Sequence, residues 1–134
     1  MLLLDTNVLS DYLAGYEPAR ELLIEYEDDE WIVSGLVLYE TYMGVLYGYV
    51  PGTPEEVFSI VDSTMEIVNV TEQTATESAR LQRELLEIGV PADQPDGLIA
   101  ASAREHGAAL VTADETFWND EVGAVLDVVR YHRE

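Results

Sequence analysis

The sequence predicts an α/β fold, a three-layer α/β/α sandwich whose parallel sheet has four to five short strands. Three observations carry that expectation. The strand-like runs span only four to six residues, and helical segments alternate with them along the chain. Such alternation builds a parallel sheet covered by helices on both faces. At 134 residues with 48% hydrophobic content, the chain also has the size and apolar fraction of a single domain, residues 1–134, with one buried core.

The elements follow in order. Met1 to Leu4 reads as a short buried strand, and "TNVLSDYLAG" continues as a helix ending near Gly15. Pro18 suits the start of the next helix, and "PARELLIEYEDDE" is amphipathic at helical spacing. "WIVSG" is a second strand or a helix entry, with Ser34 placed to cap a helix over residues 35 to 48 that Gly48 and "PGTP" close. "PEEVFSIVDS" is a further helix, and "MEIVNV" alternates and branches like a strand. From Thr71 to Ile88 a helical wheel gathers Ala75, Ser78, Ala79, Leu81, Leu85, Leu86 and Ile88 on one half, opposite Glu77, Arg80, Arg83, Glu84 and Glu87. Gly89 and Pro91 stop it. "PDGLIAASAREHG" is the last helix, before strands in "AALVTA" and "VLDVVRY".

Composition excludes several classes. There is no Cys, so disulfides, thiolate zinc sites and Cys nucleophiles are out. The opening "MLLLDTN" has no basic segment ahead of its three leucines and is not read as a signal peptide, which leaves a cytoplasmic location as the expectation. Residues 31–50 form a twenty-residue stretch with a single charge, long enough to raise a membrane span. Three glycines, the central Glu40 and the lack of flanking cations speak against that reading.

Charge is the outlier. The chain has 27 Asp and Glu against six basic residues, all Arg, for a net charge of −21. The acids are spread over a chain of ordinary apolar content, which argues against a disordered acidic tail. Adaptation to a very salty cytoplasm, that of a halophilic archaeon, explains both the acids and the absence of Lys. At 1 M salt the Debye length is about 3 Å, so the self-repulsion is screened.

Among so many acids, position singles out four. Ligands of parallel α/β sheets sit beyond the carboxyl ends of the strands. Asp5 follows "LLL" and Asp114 follows "ALVTA", though either one could serve only as an N-cap. Glu40 is the sole charge from Trp31 through Pro54 and sits mid-helix among apolar residues, which predicts a helix buried on most sides. Asp96 lies in the first turn of its helix, and Asp93 is placed as that helix's N-cap. Four acids on four elements, with no Lys or Cys for partners, suggest a cluster neutralised by a divalent metal. Oxygen-only ligation suits Mg²⁺ or Mn²⁺. His106 and His132 are isolated and read as solvated surface residues.

These pieces, "LLLDTNVLSDYL", the Glu of "LYETYMG", the Asp of "PDGLIAASA" and "LVTADETF", run in order through nearly the whole chain. In this the sequence resembles PIN-domain nucleases, most closely the VapC-type toxins of toxin-antitoxin pairs. The resemblance implies a PIN-like fold and a metal-dependent endoribonuclease, with Asp5, Glu40, Asp96 and Asp114 as catalytic acids and ligands of Mg²⁺ or Mn²⁺. It implies that Thr112, Thr6 and Asn7 orient ligands or water. It further implies an RNA substrate, a small antitoxin partner, a homodimer and no membrane association. Gly97 departs from the pattern, where such helices often carry a larger residue. The basic surface usual for RNA is also nearly absent. The alternative within the fold is a catalytically idle module that grips RNA or protein. Haloacid-dehalogenase-like phosphatases also place Asp after a first strand, but Asn7 stands where their second Asp is needed and no Lys is present.

Overall fold

The computed structural model describes residues 1–133. Strands β1 (Leu2–Leu4), β2 (Trp31–Ser34), β3 (Glu66–Val68), β4 (Ala109–Thr112) and β5 (Val128–Arg130) form one sheet in the order β3-β2-β1-β4-β5. Every pairing is parallel. The helices are α1 (Thr6–Leu13), α2 (Glu17–Glu25), α3 (Gly35–Leu46), α4 (Pro54–Thr64), α5 (Glu72–Glu87) and α6 (Gln94–Glu105).

Strand order determines where the helices lie. The chain steps outward from β1 to β2 to β3, then returns across the sheet to β4 and β5. Because parallel crossovers are right-handed, the outward steps put α1 to α4 on one face and the return puts α5 and α6 on the other. The contacts agree: α1 packs on α2 and α3, α3 on α4, and α5 on α6. The reversal leaves a switch point between β1 and β4, and the crevice beyond their carboxyl ends is where this topology binds ligands. Leu3, Leu4, Leu110, Val111 and Ile32 fill the centre of the sheet with at most 1% of their surface exposed.

The helix starts are capped where the sequence supplies cap residues. Asp5, Ser34 and Thr53 accept from the first-turn amides of α1, α3 and α4, and Thr71 forms a capping box with Thr74 at α5. Asp93 stands at the N-cap of α6 as expected, yet its side chain makes no cap hydrogen bond. Tyr131 and Arg133 both donate to the buried carboxylate of Asp11 on α1, tying the strand after β4 to the first helix.

One expectation about faces is corrected. On α5 the buried seam is Thr74, Leu81 and Leu85, with Ser78 half-buried, whereas Ala75, Ala79 and Leu86 face solvent. The seam is rotated because Glu77 and Glu84 are drawn in to hold Arg104 of α6, both at 2.6 Å. As expected, α3 is buried or half-buried along most of its length, with Tyr39 and Leu46 its exposed residues and Tyr42 packed against the core. Just past its end, Tyr47 and Tyr49 are 73% and 82% exposed, so the charge-free stretch ends in a small bare apolar surface. No helix among the described residues is long and apolar enough to cross a membrane.

Candidate active site

Asp5 ends β1 and begins α1, and its backbone N–H donates to the carbonyl of Val111 on β4 (3.0 Å). That bond sets the carboxylate at the switch point. Its side chain is 7% exposed and is fixed at both oxygens: Oδ1 accepts from the Thr6 N–H (2.8 Å) and Oδ2 from the Thr112 hydroxyl (2.6 Å). Thr112 Oγ1 in turn accepts from the Asp114 N–H (3.0 Å), so one buried hydroxyl couples the ends of β1 and β4. Asp114 caps the short 3₁₀ helix Glu115–Trp118 through the Thr116 N–H. Its capping role is thus real, and it also stands at the crevice.

Glu40 reaches the same region from α3. Its Oε1 accepts from the Thr6 hydroxyl at 2.5 Å, so Thr6 serves Asp5 through its N–H and Glu40 through its side chain. Glu40 is half-buried, which explains how a carboxylate is tolerated mid-helix. Asp96 comes from the first turn of α6, on the other face of the sheet.

The electrostatics report the convergence. Burial raises the Asp96 carboxyl to about 6, and the charges of Asp5, Asp114, Glu40 and Asp93 push in the same direction. Burial also raises Asp5, opposed by its bonds from Thr112 and Thr6 and aided by Glu40 and Asp114. The structure therefore brings all four predicted acids into one field. Asn7 is exposed and makes no side-chain hydrogen bond among the described residues, so the expected orienting role falls to Thr6 and Thr112.

What this cluster lacks is positive charge. Arg80, Arg104, Arg130 and Arg133 pair with Glu77, Glu84, Asp120 and Asp11, and none of those pairs includes a cluster acid. As they stand, no three of the described carboxylates close to metal-holding distance. The donor set, all oxygen and uncompensated, fits a hard divalent cation, and Asp5, Glu40, Asp96 and Asp114 are the residues that could hold it. His106 and His132 are both exposed, and His132 packs against Trp118 with the rings tilted by 52°.

A parallel α/β domain with uncompensated carboxylates gathered at its switch point defines a class of acidic-centre fold. The particular family follows from comparison: the PIN domain family model matches residues 2–119, and the chain belongs to that family. A comparison with curated protein sequences gives no significant match. Among solved structures, the chain resembles one in the VapBC2 complex of Rickettsia felis bound to a DNA fragment from its promoter, with 23% identity, 98% of each chain covered and a TM-score of 0.73. A toxin-antitoxin complex from Klebsiella pneumoniae gives 24%, 98% of each chain and 0.73. Mycobacterium tuberculosis VapC20, described as a Sarcin-Ricin loop cleaving toxin, gives 18%, 97% of this chain, 99% of that one and 0.66. At these identities the likeness is one of fold.

Proposed function

We propose that the protein is a Mg²⁺- or Mn²⁺-dependent endoribonuclease and the toxin of a toxin-antitoxin pair. One observation carries the reading: four carboxylates from four elements face one another at the switch point with no protein cation among them, and burial, aided by the charges of Asp5, Asp114 and Glu40, raises Asp96 to about 6. A bound divalent ion would supply charge neutralisation at the phosphate and a more acidic water. Asp5, held at both oxygens, presents its carboxylate in one fixed orientation. Glu40 is aimed by Thr6, and either Glu40 or Asp96 takes the proton of the attacking water. Thr112 keeps Asp5 and the Asp114 backbone in register. The reaction is hydrolysis, with no covalent enzyme intermediate.

The antitoxin partner is supported by the neighbours, several of which are toxin-antitoxin complexes. A homodimer is supported by the exposed apolar residues Leu46, Tyr47 and Tyr49 at and beyond the end of α3, within residues 41–54, which carry no charge. A cytoplasmic, high-salt setting is supported by the acid excess.

The test is cleavage of total RNA at high salt with Mn²⁺, with EDTA and Asp5→Ala as controls. Cleavage that needs the metal and is abolished in a folded variant is expected. Equal cleavage by the variant, or by protein in EDTA, would overturn the assignment.

A further inference from the structure

Gln82 on α5 reaches across to the segment that leads into α6. Its Nε2 donates to the Ala92 carbonyl (2.8 Å) and its Oε1 accepts from the Ala92 N–H (3.1 Å). Two bonds to one residue, one to each of the peptide groups that flank Ala92, fix its rotation as well as its position. Among the described residues these are the only side-chain hydrogen bonds that reach residues 89–96. Asp93, Gln94 and Pro95 are exposed, and Asp93 does not cap. The Asp93 carbonyl accepts the first helical bond, from Gly97 N–H (2.8 Å), so the opening turn of α6 takes its direction from the peptide just before it.

Gly97 makes this contact possible. A Cβ there would lie 2.5 Å from Gln82 Nε2, 3.2 Å from Cδ and 3.4 Å from Cγ. Gly97 is not among the glycines of positive φ, so its missing side chain serves space and not backbone freedom. The departure from the family pattern noted in the sequence thus has a physical partner fifteen residues away. Asp96, between the clamped peptide and the notch, is repelled by three other acids, and an unclamped helix end would swing away from them.

We infer that Gln82 is a positioning residue for the candidate centre: through the notch at Gly97 it clamps the Ala92 peptide and so holds Asp96 toward Asp5, Glu40 and Asp114. This rests on the metal-dependent reading above, and the experiment separates the two. Mn²⁺ affinity is measured by titration calorimetry on metal-stripped wild type, Gln82→Ala, Gly97→Ala and the double variant, with the melting temperature of each in EDTA.

Each single variant is expected to bind Mn²⁺ roughly ten-fold more weakly, the usual scale for residues that orient ligands. The double variant is expected to bind no more weakly than either single one, since both break one clamp. Its melting temperature, however, should recover toward wild type, because Ala at position 97 then meets no side chain and is the better helix former. Recovered stability without recovered affinity distinguishes positioning from mere support. Single variants within two-fold of wild type, or a double variant that regains affinity together with stability, would overturn the inference. A wild type that fails to bind Mn²⁺ would instead remove the metal reading, and this inference with it.

Discussion

Asp96→Asn should stabilise the metal-free protein, which is unusual for a change at a first-turn acid. The magnitude follows from the raised carboxyl. A rise from 3.8 to about 6 corresponds to roughly 3 kcal/mol of unfavourable charge in the folded state. The side chain is only half-buried, so solvent screening reduces this by about half, to ~1.5 kcal/mol. Opposing it is the favourable placement of an acid at a helix N-terminus, about 0.5 kcal/mol. Repulsion and burial win by about 1 kcal/mol, or roughly 3–5 °C for a chain of this size. The pH dependence has a definite sign. Because the folded carboxyl is raised above its unfolded value, the penalty is absent below pH 3.8, grows as pH rises and is complete above about pH 6. The assay is thermal unfolding in EDTA and 1 M KCl at pH 4 and pH 7, where burial, the largest cause, survives screening. Asn should melt higher at pH 7, with the advantage lost at pH 4. Added Mn²⁺ should raise wild type more than the variant. A variant that melts lower at pH 7, or a gap that does not change with pH, would refute the reasoning.

Other outcomes follow from the same geometry. Thr112→Val removes the bond to Asp5 and the acceptor for the Asp114 N–H, and should lower stability by about 2–3 kcal/mol, read as a drop in melting temperature. If the proposed homodimer forms, Tyr47→Glu with Tyr49→Glu should shift it toward monomer in sedimentation equilibrium while leaving the melting profile of the monomer intact, since both residues are largely exposed. The wild-type protein should melt higher in 3 M than in 0.1 M KCl, because the net charge of −21 repels itself less when screened. A lower melting point in 3 M would refute salt adaptation.

How much of this was legible in the chain depends on how local each signal is. Asp5 and Asp114 could be found because strand ends are visible as apolar runs that stop. The helix from Thr71 to Ile88 was equally readable, since breakers act on neighbours in sequence, while its capping box, closed by Thr74 rather than an acid, was not foreseen. Glu40 was found by its isolation, and the mostly buried α3 inferred from it was borne out, because an acidic surface would not stay bare of charge over so long a stretch. The seam of α5 was misjudged: Glu77 and Glu84 look like solvated charges until Arg104, more than twenty residues away in the case of Glu77, is seen to draw them inward. Gln82 was missed outright. Its only trace was indirect, in a glycine where a bulkier residue was expected. The 3₁₀ turns at Glu115–Trp118 and Asp120–Ala124 left no clear pattern, and β3 and β5 proved shorter than their apolar runs.

The arginines, finally, are mostly occupied. Among the described residues, four of the six are engaged in ion pairs, and Arg20 and Arg83 remain to greet a phosphate chain without giving up an acid. Affinity that grows by shedding condensed counterions weakens about 0.7 decades per contact for each decade of salt on single strands, so two contacts limit the loss to about 1.4. A surface built this way forgoes tight attraction to polyanions in dilute buffer. In return, a tenfold rise in salt costs it about 25-fold in affinity, where six such contacts would cost more than about 10,000-fold.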